Sequence, residues 1–72
     1  MRLLQSLSRG LTVLDYLAAA KEPVRLTDVA LFLGVDKSNA SHLLRTLVAA
    51  NFAEQVDGRK YRATSKVRKV DG

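Results

Sequence analysis

With 72 residues the chain is long enough for one small domain, which buries roughly 60% of its unfolded surface on folding. Twelve Lys and Arg against seven Asp and Glu give a net charge of +5, which suits a nucleic-acid partner and equally suits an ordinary solvated basic surface. The chain has no cysteine and a single histidine, His42, so disulfides, thiolate zinc sites and histidine metal cages are excluded, and no cofactor is expected.

The N-terminal residues do not have the pattern of a targeting or membrane segment. The opening MRLLQSLSRG contains a basic residue and leucines, but Gln5, Arg9 and Gly10 interrupt the apolar run well short of a signal peptide or a membrane span. The sequence therefore predicts a cytoplasmic protein.

The spacing of apolar residues predicts a first helix after this opening. Its predicted interior face consists of leucines and one alanine at helical intervals: Leu7, Leu11, Leu14, Leu17 and Ala18. A capping serine, Ser6 or Ser8, marks the start, and the helix is predicted to run through Ala20. Pro23 cannot continue a helix, so residues 21–25 are predicted to be a connector.

The first helix holds more apolar side chains than it can bury against two short helices. Some of them should stay exposed on a monomer, and an exposed apolar strip usually marks an interface. The sequence predicts a homodimer paired at least partly through five leucines: Leu3, Leu4, Leu7, Leu11 and Leu14. The alternative is that these leucines only cover the small core of a monomer.

Residues 26–47 have the pattern of a helix-turn-helix. Ala30 is small, as two closely crossing helices require, and Gly34 can adopt the positive φ of a sharp turn. Val35 is expected to fill the space under that turn.

The second helix is predicted over residues 28–33. Thr27 is its expected N-cap, and Asp28 in the first turn is favourably placed against the helix dipole. Gly34 ends the helix.

Asp36 is predicted to cap a third helix with two contrasting sides. Its buried stripe is apolar: Ala40, Leu43, Leu44, Leu47 and Val48. The remaining surface carries hydrogen-bonding and cationic side chains: Lys37, Ser38, Asn39, Ser41, His42, Arg45 and Thr46. Such a surface suits a DNA major groove, where arginine pairs with guanine and asparagine with adenine.

Asn51 is a plausible stop for the third helix, and residues 52–63 are predicted to form a β-hairpin. The dipeptide Asp57-Gly58 suits a type I′ turn with a two-residue loop. Such a loop fixes two cross-strand pairs, Val56 with Arg59 and Phe52 with Ala63.

The two faces of the predicted hairpin differ in chemistry. One face is apolar: Phe52, Val56, Tyr61 and Ala63. Glu54 also falls on this face, near its edge, and Tyr61 is predicted to pack rather than to stack on a base. Lys60 and Arg62 lie on the other face, where they can reach phosphates or a minor groove. The alternative is that these cations protect an edge strand from aggregation.

Three helices followed by a hairpin predict a winged helix-turn-helix, a mainly α fold with a small β-hairpin. The domain is predicted over residues 1–63, with the helix-turn-helix at 26–47 and the wing at 52–63. Residues 64–72 have no periodicity and are predicted to be a tail or the start of a linker.

This fold and these side chains predict a sequence-specific double-stranded DNA-binding transcriptional regulator, not an enzyme. The predicted DNA-binding residues are Lys37, Ser38, Asn39, Ser41, His42, Arg45, Thr46, Arg59, Lys60 and Arg62. His42 beside Ser41 is no catalytic pair, because adjacent helical residues diverge and no acid completes a triad. The alternative is a protein-protein interaction module without DNA binding, which would expose aromatic or aliphatic anchors on the third helix.

Three stretches of the chain, QSLSRGLTVLDYL, LTDVALFLGVDKSNASHLLRTL and DGRKYRA, resemble the DNA-binding domain of IclR-type bacterial transcription factors. The resemblance covers residues 5–63. It implies a dimeric repressor or activator whose first helix helps to pair the subunits. It also implies a larger domain after the linker that binds a small-molecule effector. Asn39 stands where the family often has threonine and His42 where it often has arginine, which implies a different base preference and phosphate affinity.

Overall fold

The computed structural model describes residues 4–67. In that part of the chain three helices are combined with one antiparallel three-stranded sheet, in the order α1 (Gln5–Ala19), β1 (Val24–Arg25), α2 (Leu26–Leu33), α3 (Lys37–Ala49), β2 (Ala53–Val56) and β3 (Lys60–Ala63). The strand order across the sheet is β1-β3-β2. The predicted winged helix is confirmed, and β1 is an additional strand.

The core lies where the three helices meet the inner face of the sheet. Its buried side chains are all apolar or aromatic: Val13, Leu17, Val29, Ala30, Ala40, Leu44, Leu47, Ala53, Tyr61 and Ala63. The predicted stripe of α3 is confirmed, because Leu43 and Val48 are half-buried beside its three buried members. Tyr61 packs in this core, as predicted, and is only 7% exposed.

The start and the buried face of α1 differ from the prediction. Leu4 precedes the helix, and no side chain caps its first turn. The Ser8 N–H donates to the Leu4 carbonyl at 3.0 Å, so the predicted capping serines lie inside the helix. The fully buried side chains of α1 are Val13 and Leu17, both in its second half, and the predicted interior position of Leu7 and Leu11 is therefore wrong. The helix ends at Ala19, one residue before the predicted end.

The connector between α1 and α2 contains the strand that the sequence did not predict. Val24 pairs with Tyr61 and Arg25 pairs with Lys60 on β3. The Leu26 N–H adds a hydrogen bond to the Arg59 carbonyl at 3.2 Å. Two residues are too short to show an alternating pattern, and only contact with a distant strand defines them.

The second helix starts at Leu26, two residues before the predicted start, because β1 leads directly into it. Arg25 occupies the N-cap position, so the prediction of Thr27 there is wrong. The predicted place of Asp28 in the first turn is confirmed, and its carboxylate accepts the Arg25 N–H at 3.2 Å. An acid at this position stabilises a helix start through that hydrogen bond and the helix dipole.

The turn between α2 and α3 has the predicted geometry. Gly34 adopts φ +70°, and the Val35 N–H donates to the Ala30 carbonyl at 3.1 Å, as in a glycine-terminated helix. Ala30 is buried and Val35 packs half-buried against the core. Asp36 caps α3, since its Oδ1 accepts the Asn39 N–H at 2.8 Å.

The end of α3 repeats this turn chemistry with a different residue. Asn51 adopts φ +69°, and the Phe52 N–H donates to the Leu47 carbonyl at 2.9 Å. Asparagine tolerates the left-handed region better than most residues. The predicted stop at Asn51 is confirmed.

The register of the wing is one residue away from the prediction. Ala53, rather than Phe52, pairs with Ala63, and Val56 pairs with Lys60, so residues 57–59 form a three-residue loop. Asp57 and Gly58 both have positive φ, 55° and 75°, as the predicted turn requires. Arg59 is the extra residue, and its N–H donates to the Asp57 carbonyl at 2.8 Å.

This shift changes what each face of the wing carries. Glu54 lies opposite Arg62 and away from the core, so its predicted place on the apolar face is wrong. Val56 is on that outer face too, and the inner face carries Ala53, Tyr61 and Ala63. Lys60 and Arg62 share the outer face, as predicted.

Residues 64–67, predicted to begin the tail, contact the segment between α3 and β2 and the core. The Thr64 hydroxyl donates to the Asn51 carbonyl at 2.6 Å. Lys66 Nζ lies 4.6 Å from the centre of the Phe52 ring, and Val67 packs against the core.

Candidate nucleic-acid interface

The outer face of α3 is polar and accessible. Ser38, His42 and Arg45 are spaced i, i+4 and i+7, so they share one side of the helix, and all three are exposed. Thr46 beside them is exposed and donates its hydroxyl proton to the His42 carbonyl at 2.9 Å, which leaves its oxygen free to accept. This side of the helix offers donors and acceptors in the form that base edges and phosphates require.

The flanks of α3 hold the other predicted residues of this helix. Lys37 and Asn39 are exposed, and Ser41 is half-buried. Lys37 is the first residue of α3 and lines a groove that separates the helix from the wing. The predicted residues of α3 therefore form one surface that continues toward the wing.

The three cations of the wing have different surroundings. Arg59 is exposed in the turn, and Lys60 is half-buried at the start of β3. Arg62 Nε lies 2.8 Å from Glu54 Oε2, and this is the ion pair found among residues 4–67. The charge of Arg62 is thus offset within the wing, whereas Arg59 and Lys60 have no such partner in the described chain.

The position of β3 in the sheet bears on Lys60. β3 lies between β1 and β2, and Lys60 is paired on both sides, with Arg25 and with Val56. Protection of an edge strand therefore does not account for a lysine at this position.

The groove between α3 and the wing brings in a cation that sequence reasoning missed. It is lined by residues from β1, the start of α2, the start of α3 and the wing: Arg25, Leu26, Thr27, Lys37, Asp57, Gly58, Arg59, Lys60 and Tyr61. Arg25 reaches it only because β1 pairs with β3. No local pattern in the sequence signals that pairing.

Two apolar surfaces lie away from α3 and the wing. Leu4, directly before α1, and Leu7 and Leu11 on α1 are 70%, 58% and 55% exposed. On α2, Leu31 is 81% exposed, and Phe32 is 51% exposed while its ring stacks on Tyr16 at 4.3 Å. The exposed large apolar side chains of the described chain are therefore at the start of α1 and on α2, not on α3.

Within residues 4–67 no group of three or more His, Cys, Asp or Glu side chains is placed to hold a metal ion. No helix in this range is long and apolar enough to cross a membrane.

A helix-turn-helix followed by a basic wing defines the winged-helix class of DNA-binding domain. Residues 6–57 match the family model described as the IclR helix-turn-helix domain. The chain belongs to the IclR helix-turn-helix family. The matched part of the chain is thus a helix-turn-helix domain, a class of domain that binds DNA.

Two solved structures resemble the fold. An IclR transcriptional regulator from Alicyclobacillus acidocaldarius matches with a TM-score of 0.79 and 30% identity over 86% of this chain. The chain spans 26% of that regulator's length. IdeR of T. acidophilum matches with a TM-score of 0.68 and 21% identity, over 92% of this chain and 30% of its own, and supports the fold alone. A comparison with curated proteins finds no match.

Proposed function

We propose that the protein binds double-stranded DNA in a sequence-specific manner, with α3 in the major groove and the wing on the backbone or in the minor groove. The exposed face formed by Ser38, His42 and Arg45 carries this proposal. A helix presents such side chains to base edges when it lies in the major groove. Lys37 and Arg59 line the adjoining groove, so cations flank the face that reads the bases.

The alternative of a protein-interaction module receives less support from these surfaces. Such a module needs aromatic or aliphatic anchors at the docking face. The large apolar side chains exposed in the described chain are at the start of α1 and on α2. The exposed residues of α3 are polar or cationic apart from Ala49. The exposed polar and cationic side chains of α3 therefore favour DNA as its partner.

We further propose that the functional unit is a homodimer paired at least partly through α1 and that its DNA site is an inverted repeat. The strip of Leu4, Leu7 and Leu11 supports this, because three exposed leucines on one side of a helix are costly to leave in water. Leu14 packs against the core of its own chain and can contribute only its remaining surface. Leu3 lies outside the described residues. A two-fold dimer would present two α3 helices to major grooves about one helical turn, or a multiple of it, apart.

Selection of bound fragments from a genomic DNA pool tests the proposed function. Enrichment of a shared motif with two-fold symmetry is the expected result. Retention of fragments without any shared motif would contradict sequence-specific recognition. Arg45→Ala serves as the matched variant, since it should weaken enrichment of the motif without unfolding an exposed helix position.

A further inference from the structure

Two like charges lie directly opposite each other on neighbouring strands of the sheet. Arg25 on β1 and Lys60 on β3 are directly paired in the antiparallel register. Directly opposite residues have Cβ atoms about 4.5–5.5 Å apart and share one face of the sheet, and like charges in such a pair are destabilising. Within residues 4–67 neither side chain takes part in an ion pair.

Further cations surround this pair. Lys37 and Arg59 line the same groove, which places four positive side chains from β1, α3 and the wing around one concave surface. Two carboxylates are near: Asp57 lines the groove, and Asp28 accepts the Arg25 backbone N–H at 3.2 Å. Within residues 4–67 neither carboxylate lies within 4.0 Å of a cationic side-chain nitrogen. The groove is therefore positively charged in the free protein.

Backbone contacts join the elements that line the groove. The Leu26 N–H donates to the Arg59 carbonyl at 3.2 Å, which joins the wing to the start of α2. Tyr61, which follows Lys60 on β3 and pairs with Val24, is buried in the core. Backbone pairing thus brings the four cations to one groove before any ligand arrives, and an anion bound there would relieve their mutual repulsion.

We propose that this groove binds backbone phosphates of the DNA duplex, with Arg25, Lys37 and Lys60 as their main ligands. The inference rests on the proposed DNA-binding function and adds Arg25 to it as a positioning contact. It also separates Lys60 from Arg62, because the charge of Arg62 is already offset by Glu54. Phosphate contacts of this kind fix the orientation of the protein on DNA without reading bases.

The test compares the salt dependence of DNA binding by four forms of the full chain. Fluorescence anisotropy with one duplex is measured across a range of salt for wild type, Arg25→Gln, Arg25→Lys and Lys21→Gln. The slope of log K against log salt should become shallower by about 0.9 for Arg25→Gln, as one phosphate contact is lost. Arg25→Lys should restore the slope. Lys21 is an exposed cation of the connector outside the groove, so Lys21→Gln should match wild type.

Thermal unfolding of the free proteins separates ligand binding from a structural role. Arg25→Gln keeps the backbone N–H that Asp28 accepts and removes a repulsive charge, so its Tm at low salt should equal or exceed that of wild type. A lower Tm together with weaker binding would assign Arg25 a structural role and overturn the inference.

The remaining outcomes are equally decisive. If wild type binds DNA and Arg25→Gln has the same slope, the groove inference is wrong while the proposed function stands. If wild type binds no duplex, both are wrong. Inorganic phosphate alone, added at constant ionic strength, distinguishes the source of the anion. One result would overturn the assignment of the groove to DNA. In it, inorganic phosphate raises the Tm of wild type saturably and not that of Arg25→Gln, while the salt slope of DNA binding is the same for both.

Discussion

The outer faces of α1 and α3 differ in chemistry although both helices bury an apolar stripe in the same core. The start of α1, including its N-cap residue, exposes Leu4, Leu7 and Leu11, whereas α3 exposes Ser38, His42 and Arg45. Burying a row of exposed leucines against another apolar surface lowers the free energy. Polar side chains are instead suited to hydrogen bonds with base edges or phosphates. Two helices of one small domain are thus suited to two different partners.

The largest effect should come from removing the apolar character of α1. Burying an exposed leucine side chain completely stabilises an interface by about 1.5–3 kcal/mol. The double variant Leu7→Ala with Leu11→Ala removes two leucines from each subunit and so four from a two-fold dimer. The dimer dissociation constant should rise by at least on the order of a hundredfold. Sedimentation equilibrium at micromolar concentration measures this.

Leu31→Ala is the matched control for that experiment, since Leu31 is exposed on α2 outside the strip. It should leave the dissociation constant unchanged. If the wild-type chain remains monomeric and binds DNA one-to-one without cooperativity, the proposed dimer is wrong.

A second variant tests the crossing that fixes α2 against the neighbouring helices. Ala30 is 6% exposed where α2 packs, so Ala30→Leu should overpack the site and lower the free energy of unfolding by about 1–3 kcal/mol. In so small a domain this loss can unfold much of the population. Ala19→Leu adds the same side chain at an exposed position of α1 and should have little effect. Equal denaturation midpoints for Ala30→Leu and wild type would show that the helices do not pack closely there.

The contrast between reading and positioning residues predicts a smaller effect on binding. Arg45→Ala should weaken binding by about 1–3 kcal/mol and relax discrimination at one base position. Lys60→Ala should weaken binding to all DNA sequences alike, because phosphates carry no sequence information. Competition against a panel of single-base variants of the selected site measures both. A change of sequence preference in Lys60→Ala but not in Arg45→Ala would reverse the roles of helix and wing.

The smallest predicted effect concerns the ion pair of the wing. Glu54→Gln frees Arg62 from its partner, so DNA affinity should rise and the salt slope should steepen by up to about 0.9. The exposed pair contributes only about 0–1 kcal/mol to folding, so Tm should change little. Glu22→Gln removes an equal charge from the connector and controls for net charge. Equal slopes for the two variants would mean that Glu54 does not restrain Arg62.

The sequence allowed prediction of the elements whose causes are local. Gly34 and Asn51 at left-handed positions, and Asp36 at a helix start, each act through their own backbone and near neighbours. The hairpin was predictable from Asp57-Gly58 for the same reason. The predicted serine caps of α1 were wrong because the helix begins at Gln5, before either serine, without a side-chain cap.

The elements that depend on distant contacts could not be predicted in this way. β1 has two residues and exists through its pairing with β3, so Arg25 could not be assigned to the wing groove. The wing register was predicted one residue away, although Glu54 on an apolar face was a signal against it. A three-residue loop removes that conflict and gives Glu54 a cationic partner. The exposure of the α3 side chains was predictable, but the unequal surroundings of Lys60 and Arg62 were not.

The salt dependence of DNA binding by the wild-type chain tests the central claim most directly. Four cations line the groove beside α3, and four phosphate contacts per chain predict a slope of roughly −3.6 for log K against log salt. A mobility-shift titration with a duplex selected from a genomic pool measures it. A slope near this value for each bound chain is the expected result. Absence of binding at low salt, to any duplex in the pool, would contradict the account.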